Sequence, residues 1–246
     1  MIVEGKNAVK ELVKAGRTID KICVQKGDKA AESLAFAAKE RGARAVFCTR
    51  ENLDKLSPSG KHQGVVAYTT EFTYSDMEDI LAGAEDSRLV VILDGVEDPH
   101  NLGSILRSAE CLGAAGVVIG KHRAVPVNDT VIKTSCGAAE YVKVARVTNI
   151  NDVIRDLKDR FFKVYAMDMD GVDVSSADLS GDVALVLGAE GSGVSALTKK
   201  LADGSVRIPM TGEISSMNVS VAAGIGMYEY TRQRSLRKYG EQNGRS

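Results

Sequence analysis

The chain has 246 residues, 44% of them hydrophobic, and its 32 lysines and arginines against 33 aspartates and glutamates give a net charge of −1. That composition supports an ordinary buried core in one large domain or two small ones, and a total charge so near zero does not by itself announce a nucleic-acid partner. No apolar run approaches the ~20 residues of a membrane span, and the opening MIVEGKNAVK lacks the charged-then-apolar layout of a signal peptide, so a soluble, cytoplasmic protein with no membrane partner is expected. Cys23, Cys48, Cys111 and Cys136 are scattered with no CxxC pair, and the only histidines are His62, His100 and His122. Reduced, mostly buried thiols follow, with no metal site and no histidine-based triad.

Along the first 70 residues, helical and strand patterns alternate: a helix over Asn7 to Ala15, a strand over Lys21 to Val24, a helix over Lys29 to Arg41, a strand over Ala45 to Cys48, and a strand over Gly64 to Tyr68. This predicts a compact α/β unit over 1–70. It carries 13 Lys and Arg against 8 Asp and Glu, whereas between Glu71 and Asp98 nine acidic residues face the single Arg88. A basic piece followed by an acidic junction suggests two modules with different jobs. Residues 71–87 read as a linker with one short helix around Asp76 to Leu81, and 88–246 as the second domain.

From Leu89 the strands become near-continuous apolar runs: LVVIL at 89, GVVI at 116, KVYAM at 163, ALVL at 184 and VRIP at 206. Strands buried on both faces and separated by helices imply a parallel sheet with helices on each side. Asn101 is placed as N-cap of a helix from Leu102 to Leu112, whose Leu102, Ile105, Leu106, Ala109 and Leu112 share one face while Arg107 points the other way. Tyr239 to Ser246 reads as a frayed polar tail.

Three segments sit where such strands give way to loops or helices, the edge at which open α/β sheets bind ligands. In LGAEGSG, Gly188, Gly191 and Gly193 are spaced GxxGxG, the reverse of a dinucleotide fingerprint, which disfavours a nucleotide-dependent oxidoreductase. NLGSILR, from Asn101 to Arg107, follows a buried strand through DGVEDPH. IPMTGEISSMNVS runs from Ile208 through Ser215 and Ser216 into a helix beginning near Asn218. In that helix Ala222, Ala223, Gly224 and Gly226 permit a close approach compatible with a subunit contact, and Arg232, Arg234, Arg237 and Lys238 form a basic face able to meet phosphate.

In order and spacing, these motifs resemble the signatures of the SpoU/TrmH branch of the SPOUT superfamily, over about Leu89 to Arg234. IVEGKNAV and HQGVVA make the first 70 residues similar to the ribosomal-protein-L30e-like substrate domain that many such enzymes carry. The resemblance implies an α/β fold class: a small L30e-like N-terminal α/β domain that binds RNA, plus a parallel-sheet α/β domain with a C-terminal trefoil knot, assembled as a homodimer. It implies transfer of a methyl group from S-adenosyl-L-methionine to a ribose 2'-hydroxyl of RNA, and the layout looks most like the bacterial enzymes acting on a guanosine of large-subunit ribosomal RNA. A transfer-RNA enzyme of the same branch and a non-catalytic RNA-binding or ribosome-assembly protein are the alternatives. Carried over, Gly188, Ile208 and Met217 line the cofactor pocket through backbone atoms, with Glu190 and Pro209 adjacent and positive charge kept from the methyl. The active set is Asn101, Arg107, Glu190, Ser216 and Asn218. The resemblance gives Arg107 the role of base or hydroxyl activator, but a guanidinium does not deprotonate near neutral pH. Its expected role is to hold ribose-phosphate and stabilise developing oxyanion charge, with Asn101, Ser216 and Asn218 orienting the reacting groups.

Overall fold

The computed structural model describes residues 1–15, 17–69, 72–82, 87–213 and 216–243, with side chains to 237. The chain divides into two compact units, Met1–Thr73 with Val127–Tyr141, and Tyr74–Pro126 with the chain from Val142 onward.

In the first unit a four-stranded sheet has the order β1 (Ile2–Glu4), β4 (Val65–Thr69), β2 (Ile19–Gln25), β3 (Arg44–Cys48), antiparallel except for the β2/β3 pair. Helices α1 (Lys6–Lys14), α2 (Lys29–Glu40) and α3 (Arg50–Leu56) cover it. Leu12, Ile22, Val24, Leu53 and Val66 are fully buried, and this apolar interior drives the fold. The five elements expected here are all present. β1 and α3 were not foreseen, because three residues of strand and two turns of helix carry too little periodicity.

Residues 127–141 belong to this unit although they fall, in sequence, inside the second. They form α6 (Asp129–Thr134) and a 3-10 turn (Ala138–Glu140). The Ile2 amide donates to Asp129 Oδ1 at 3.0 Å, Lys133 Nζ lies 2.7 Å from Glu4 Oε1, and the Tyr141 hydroxyl donates to Glu11 Oε2 at 2.6 Å. Gly137, at φ +96°, lies so close to Glu11 that a Cβ would stand 2.4 Å from its Cβ. Burial alone pushes the Glu4 carboxyl up, but the Lys133 ammonium and the Ser57 and Ser59 hydroxyls outweigh it and hold Glu4 below the usual carboxylate range.

In the second unit a six-stranded parallel sheet has the order β10 (Gly204–Arg207), β8 (Lys163–Asp173), β9 (Val183–Gly188), β5 (Leu89–Asp94), β6 (Gly116–Gly120), β7 (Val144–Val147). On one face Val90, Ile92, Ala184 and Val186 pack with α4 (Met77–Leu81) and α7 (Ile150–Asp159) through Ile80, Ile154 and Leu157. The other face carries α5 (Pro99–Cys111) and α9 (Val219–Asn243), which pack on each other. The small residues of α9 serve this packing: a Cβ on Gly224 would meet Ser108 Oγ at 3.7 Å, and one on Gly226 would press on Met167 and Leu185. The chain winds outward from β5 through β6 to β7 and then returns to build the other half, so β5 and β9 are neighbours at the point where the winding reverses.

Several expectations need correcting. Asn101 is not the N-cap of α5; Asp98 is, accepting from the His100 amide at 2.9 Å, with Pro99 in the first turn. Asp before Pro is the stronger start signal. The last strand ends at Arg207, so Ile208 and Pro209 lie in the loop beyond it. Cys111 and Cys136 are exposed. Helix α9 continues to Asn243 through most of the expected frayed tail, whose residues 244–246 lie outside the described residues, as do residue 70 at the end of the expected first unit and 71 and 83–86 of the expected linker.

Candidate active site

Parallel register puts Asp94, the last residue of β5, opposite Gly188, the last of β9. The loops leaving both strands therefore emerge side by side at the carboxyl edge. The Ser195 amide donates to Asp94 Oδ2 at 3.0 Å, which fastens the glycine loop to the end of β5. Within that loop the Gly193 amide returns to the Ala189 carbonyl at 2.9 Å. Gly191 and Gly193 have φ of +84° and +66°, conformations that side chains resist.

This arrangement carries Glu190 to the start of α5. Asn101 is 5% exposed on the inward side of that helix, and its Nδ2 donates to Glu190 Oε1 at 3.0 Å. Asn218, just before α9, donates its Nδ2 to Asn101 Oδ1 at 2.9 Å and to Glu190 Oε1 at 3.1 Å. Its own Oδ1 accepts from the Ser220 and Val221 amides at 2.9 and 3.3 Å, capping α9. Three residues from three separate motifs thus form one hydrogen-bonded set. Helix capping fixes the Asn218 rotamer, and that in turn aims its amide at the carboxylate.

Beside this set lies a cleft of about 660 Å³. Gly188, Glu190, Ile208, Ser216, Met217 and Asn218, all anticipated from the sequence, line it; Asn101, Arg107 and Pro209 do not. Arg107 stands on the exposed face of α5, opposite the buried Ile105, Leu106 and Ala109. Ser215 lies outside the described residues. Of the basic C-terminal face, Arg232 is tied to Glu229 by two bonds of 2.7 and 2.8 Å, and the Lys238 side chain is outside the described residues.

The cleft also contains residues that sequence reasoning missed. β8 pairs with β10 at Ala166 and resumes at Val172, so the intervening residues leave the ladder as a bulge. Gly171 permits it, because a Cβ there would fall 2.4 Å from the Ser205 carbonyl carbon. The bulge turns Met167, Asp168 and Met169 into the cleft. A glycine after the polar run MDMD inside an apolar strand was the available signal. Nor is the cleft free of cations, as Lys199 and Arg207 both line it. Each is matched by a carboxylate: Lys199 Nζ lies 2.5 Å from Asp168 Oδ2, and Arg207 Nε 2.7 Å from Asp173 Oδ1. Burial pushes the Asp168 carboxyl up, but the Lys199 hydrogen bond and charge prevail and keep it below the usual range; the same contact raises Lys199. No helix among the described residues is long and apolar enough to cross a membrane.

Residues 88–228 match the SpoU rRNA Methylase family and residues 2–75 match the RNA 2'-O ribose methyltransferase substrate binding family. The chain is 40% identical over 241 residues to YacO of Bacillus subtilis strain 168, named as a TrmH family tRNA/rRNA methyltransferase, covering 95% of this chain and 96% of that one. Among solved structures, the SpoU methyltransferase AviRb from Streptomyces viridochromogenes in complex with AdoMet aligns with a TM-score of 0.81 at 28% identity, covering 95% of this chain and 90% of its own. The AdoMet-bound rRNA methyltransferase from Sinorhizobium meliloti gives 0.82 at 26% identity, covering 94% and 87%. The TrmH/SpoU tRNA modifying enzyme of A. aeolicus gives 0.57 at 29% identity and covers 65% of this chain and 82% of its own. The chain belongs to the SpoU rRNA methylase family of RNA methyltransferases.

Proposed function

We propose that this protein transfers a methyl group from S-adenosyl-L-methionine to a ribose 2'-hydroxyl of RNA, with a guanosine of large-subunit ribosomal RNA as the favoured target. The carrying observation is the Asn101–Glu190–Asn218 set beside a cleft of nucleoside dimensions at the switch point of a parallel sheet. The lining fits such a cofactor. Glycine backbone in the loop allows close approach, and nothing stands within 4 Å of the position a Gly191 Cβ would take. Met167, Met169, Met210 and Met217 supply soft apolar surface for a purine. The cations present are neutralised in place, which suits a positively charged ligand. When bound, the cofactor supplies an activated methyl on a cationic sulfonium.

The chain's own residues orient the acceptor. Asn101 and Asn218 hold the Glu190 carboxylate in one position, and the ion so fixed accepts a hydrogen bond from an incoming hydroxyl without reorganising. Ser216, at the cleft wall, adds a second hydroxyl-directed contact. Arg107, permanently charged, meets the ribose-phosphate and stabilises the oxyanion. The first unit grips RNA. At one end of its sheet Gly5 to Asn7, Lys26 to Lys29 and Lys61 to Gly64 converge: the Lys6 amide donates to Gln63 Oε1, Lys6 Nζ pairs with Asp28 at 2.7 Å, and the Gln25 amide donates to the Gly64 carbonyl. Exposed Lys26, Lys29 and Lys61 border that end and offer phosphate contacts. The family's homodimer, C-terminal knot and cytoplasmic location complete the proposal.

Ribosomal RNA is favoured over transfer RNA because an rRNA methyltransferase aligns with 94% of the chain and a tRNA modifying enzyme with 65%, while the full-length relative YacO carries both RNA classes in its name. Mapping 2'-O-methyl groups in both RNA classes from a deletion strain tests the assignment. The expected result is loss of a single ribose methyl in large-subunit RNA, and loss from transfer RNA alone would overturn that choice.

A further inference from the structure

Asp168 and Lys199 form a charged pair in the cleft that takes no part in the Asn101–Glu190–Asn218 set. The pair is built into the fold. Asp168 reaches the cleft only because β8 bulges after Ala166, and Lys199 reaches it from α8 (Ala196–Leu201), the helix that follows the glycine loop. The Asp168 side chain is 16% exposed and that of Lys199 31%. Lys199 also lies 3.8 Å from Asp170, and the Asp170 amide donates to Asp168. One carboxylate is thus held from two directions at the wall of the cleft.

An ionised carboxylate only accepts hydrogen bonds, and it offers about four acceptor positions. Lys199 and the Asp170 amide occupy two of them, and the Asp170 side chain lies beside the same carboxylate. What remains matches a ligand that presents two adjacent hydroxyl donors. Lys199 offsets only part of the negative charge that Asp168 and Asp170 place there, so the site calls for hydrogen-bond donors. A vicinal diol supplies such donors, and nucleotide-binding folds use an acidic side chain against ribose hydroxyls in this way.

We propose that Asp168 recognises the ribose cis-diol of the nucleoside cofactor, with Lys199 as the positioning residue that fixes its orientation. The proposal rests on the reading that this cleft takes S-adenosyl-L-methionine. The competing occupant of the pair is the cofactor's amino-acid tail, whose ammonium and carboxylate would face Asp168 and Lys199.

The test is calorimetric binding of S-adenosylhomocysteine, its 2'-deoxy analogue and 5'-methylthioadenosine, which lacks the amino-acid tail, to the full chain and to Asp168→Asn and Lys199→Met. The wild type is expected to favour the ribose over the deoxyribose ligand by about ten- to a hundredfold, the scale of a hydrogen bond to a charged group. Asp168→Asn should bring that ratio to within about twofold while leaving affinity for the deoxy ligand near the wild-type value, which also certifies the fold. Lys199→Met, which keeps the carboxylate but frees its rotamer, should lose part of the ratio. Full discrimination retained by Asp168→Asn overturns the proposal, and unchanged discrimination in Lys199→Met overturns the positioning role. If Asp168→Asn weakens S-adenosylhomocysteine but not methylthioadenosine, the pair reads the tail instead. A wild type that binds nucleosides without discriminating them refutes the diol assignment alone; one that binds none of the three refutes the cofactor reading itself.

Discussion

Replacement of Gly188 by alanine separates a space requirement from a backbone requirement in the glycine loop. A Cβ at 188 would stand 1.9 Å from the Gly193 carbonyl carbon and 2.1 Å from both the Gly193 oxygen and the Val194 nitrogen. These are main-chain atoms with no rotamer to give, and ordinary carbon contacts need about 3.5 Å, so the loop must move outward by roughly 1.5 Å. Such a shift breaks the Gly193-to-Ala189 bond and the Ser195-to-Asp94 bond and lifts Val194, 3% exposed, from the core. Two hydrogen bonds at about 1 kcal/mol each, with partial exposure of a valine, sum to about 2–4 kcal/mol of lost stability. Glu190 moves with the loop, so cofactor affinity should fall by about tenfold or more as its carboxylate leaves the two amides. Gly191→Ala is the control: nothing lies within 4 Å of its Cβ, and only φ +84° opposes it, at about 1 kcal/mol. Urea unfolding and calorimetry with S-adenosylhomocysteine read both quantities. A Gly188→Ala protein with wild-type urea midpoint and affinity would refute the reasoning.

Arg107→Ala should leave thermal stability within about 0.5 kcal/mol of wild type while methyl transfer falls by about two orders of magnitude, and Arg107→Lys should rescue little; single-turnover rates at saturating RNA decide this. Asn218→Ser keeps an acceptor able to cap α9 but removes the amide that donates to Asn101 and Glu190, so its melting temperature should stay close to wild type while turnover drops; Asn218→Ala should lose both. Lys133→Met should cost about 2 kcal/mol at pH 7 by stripping the partner from buried Glu4. Because Glu4 sits below the unfolded carboxylate value of 4.5, that difference is present above 4.5 and lost as pH falls through the folded value, so urea midpoints at pH 7 and pH 3 should diverge and then converge. A chain starting near Tyr74 would remove Ile2, Glu4 and Glu11, the partners of 127–141, and limited proteolysis should cut there first; protection equal to full length would contradict the grouping.

Much of the second unit was legible because its strands are fully buried. An apolar run such as LVVIL has one interpretation between helices, and the buried face of α5 follows from the spacing of Leu102, Ile105, Leu106 and Ala109. Ambiguity entered where one residue suits two jobs. Asn101 has the chemistry of a cap, and only the position of Asp98, with Pro99 behind it, shows that the asparagine is one turn inside and its amide available to Glu190. The placement of 127–141 was not legible, since it depends on long-range pairing of Glu4 with Lys133, and the bulge in β8, marked locally only by Gly171, takes its register from the pairing of Ala166 with Ser205. Local periodicity does not name the partners of such contacts. Asp168 and Lys199 were missed for that reason, each being unremarkable among its own neighbours.

The most direct test is the chemical position of the transferred methyl. Full-length protein, large-subunit ribosomal RNA and S-adenosylmethionine carrying a deuterated methyl are incubated together, the RNA is digested to nucleosides, and the products are resolved by mass spectrometry. The expected result is label on the ribose of 2'-O-methylguanosine and its loss on Asn101→Ala. Label on a base, or undiminished ribose labelling by Asn101→Ala, would contradict it.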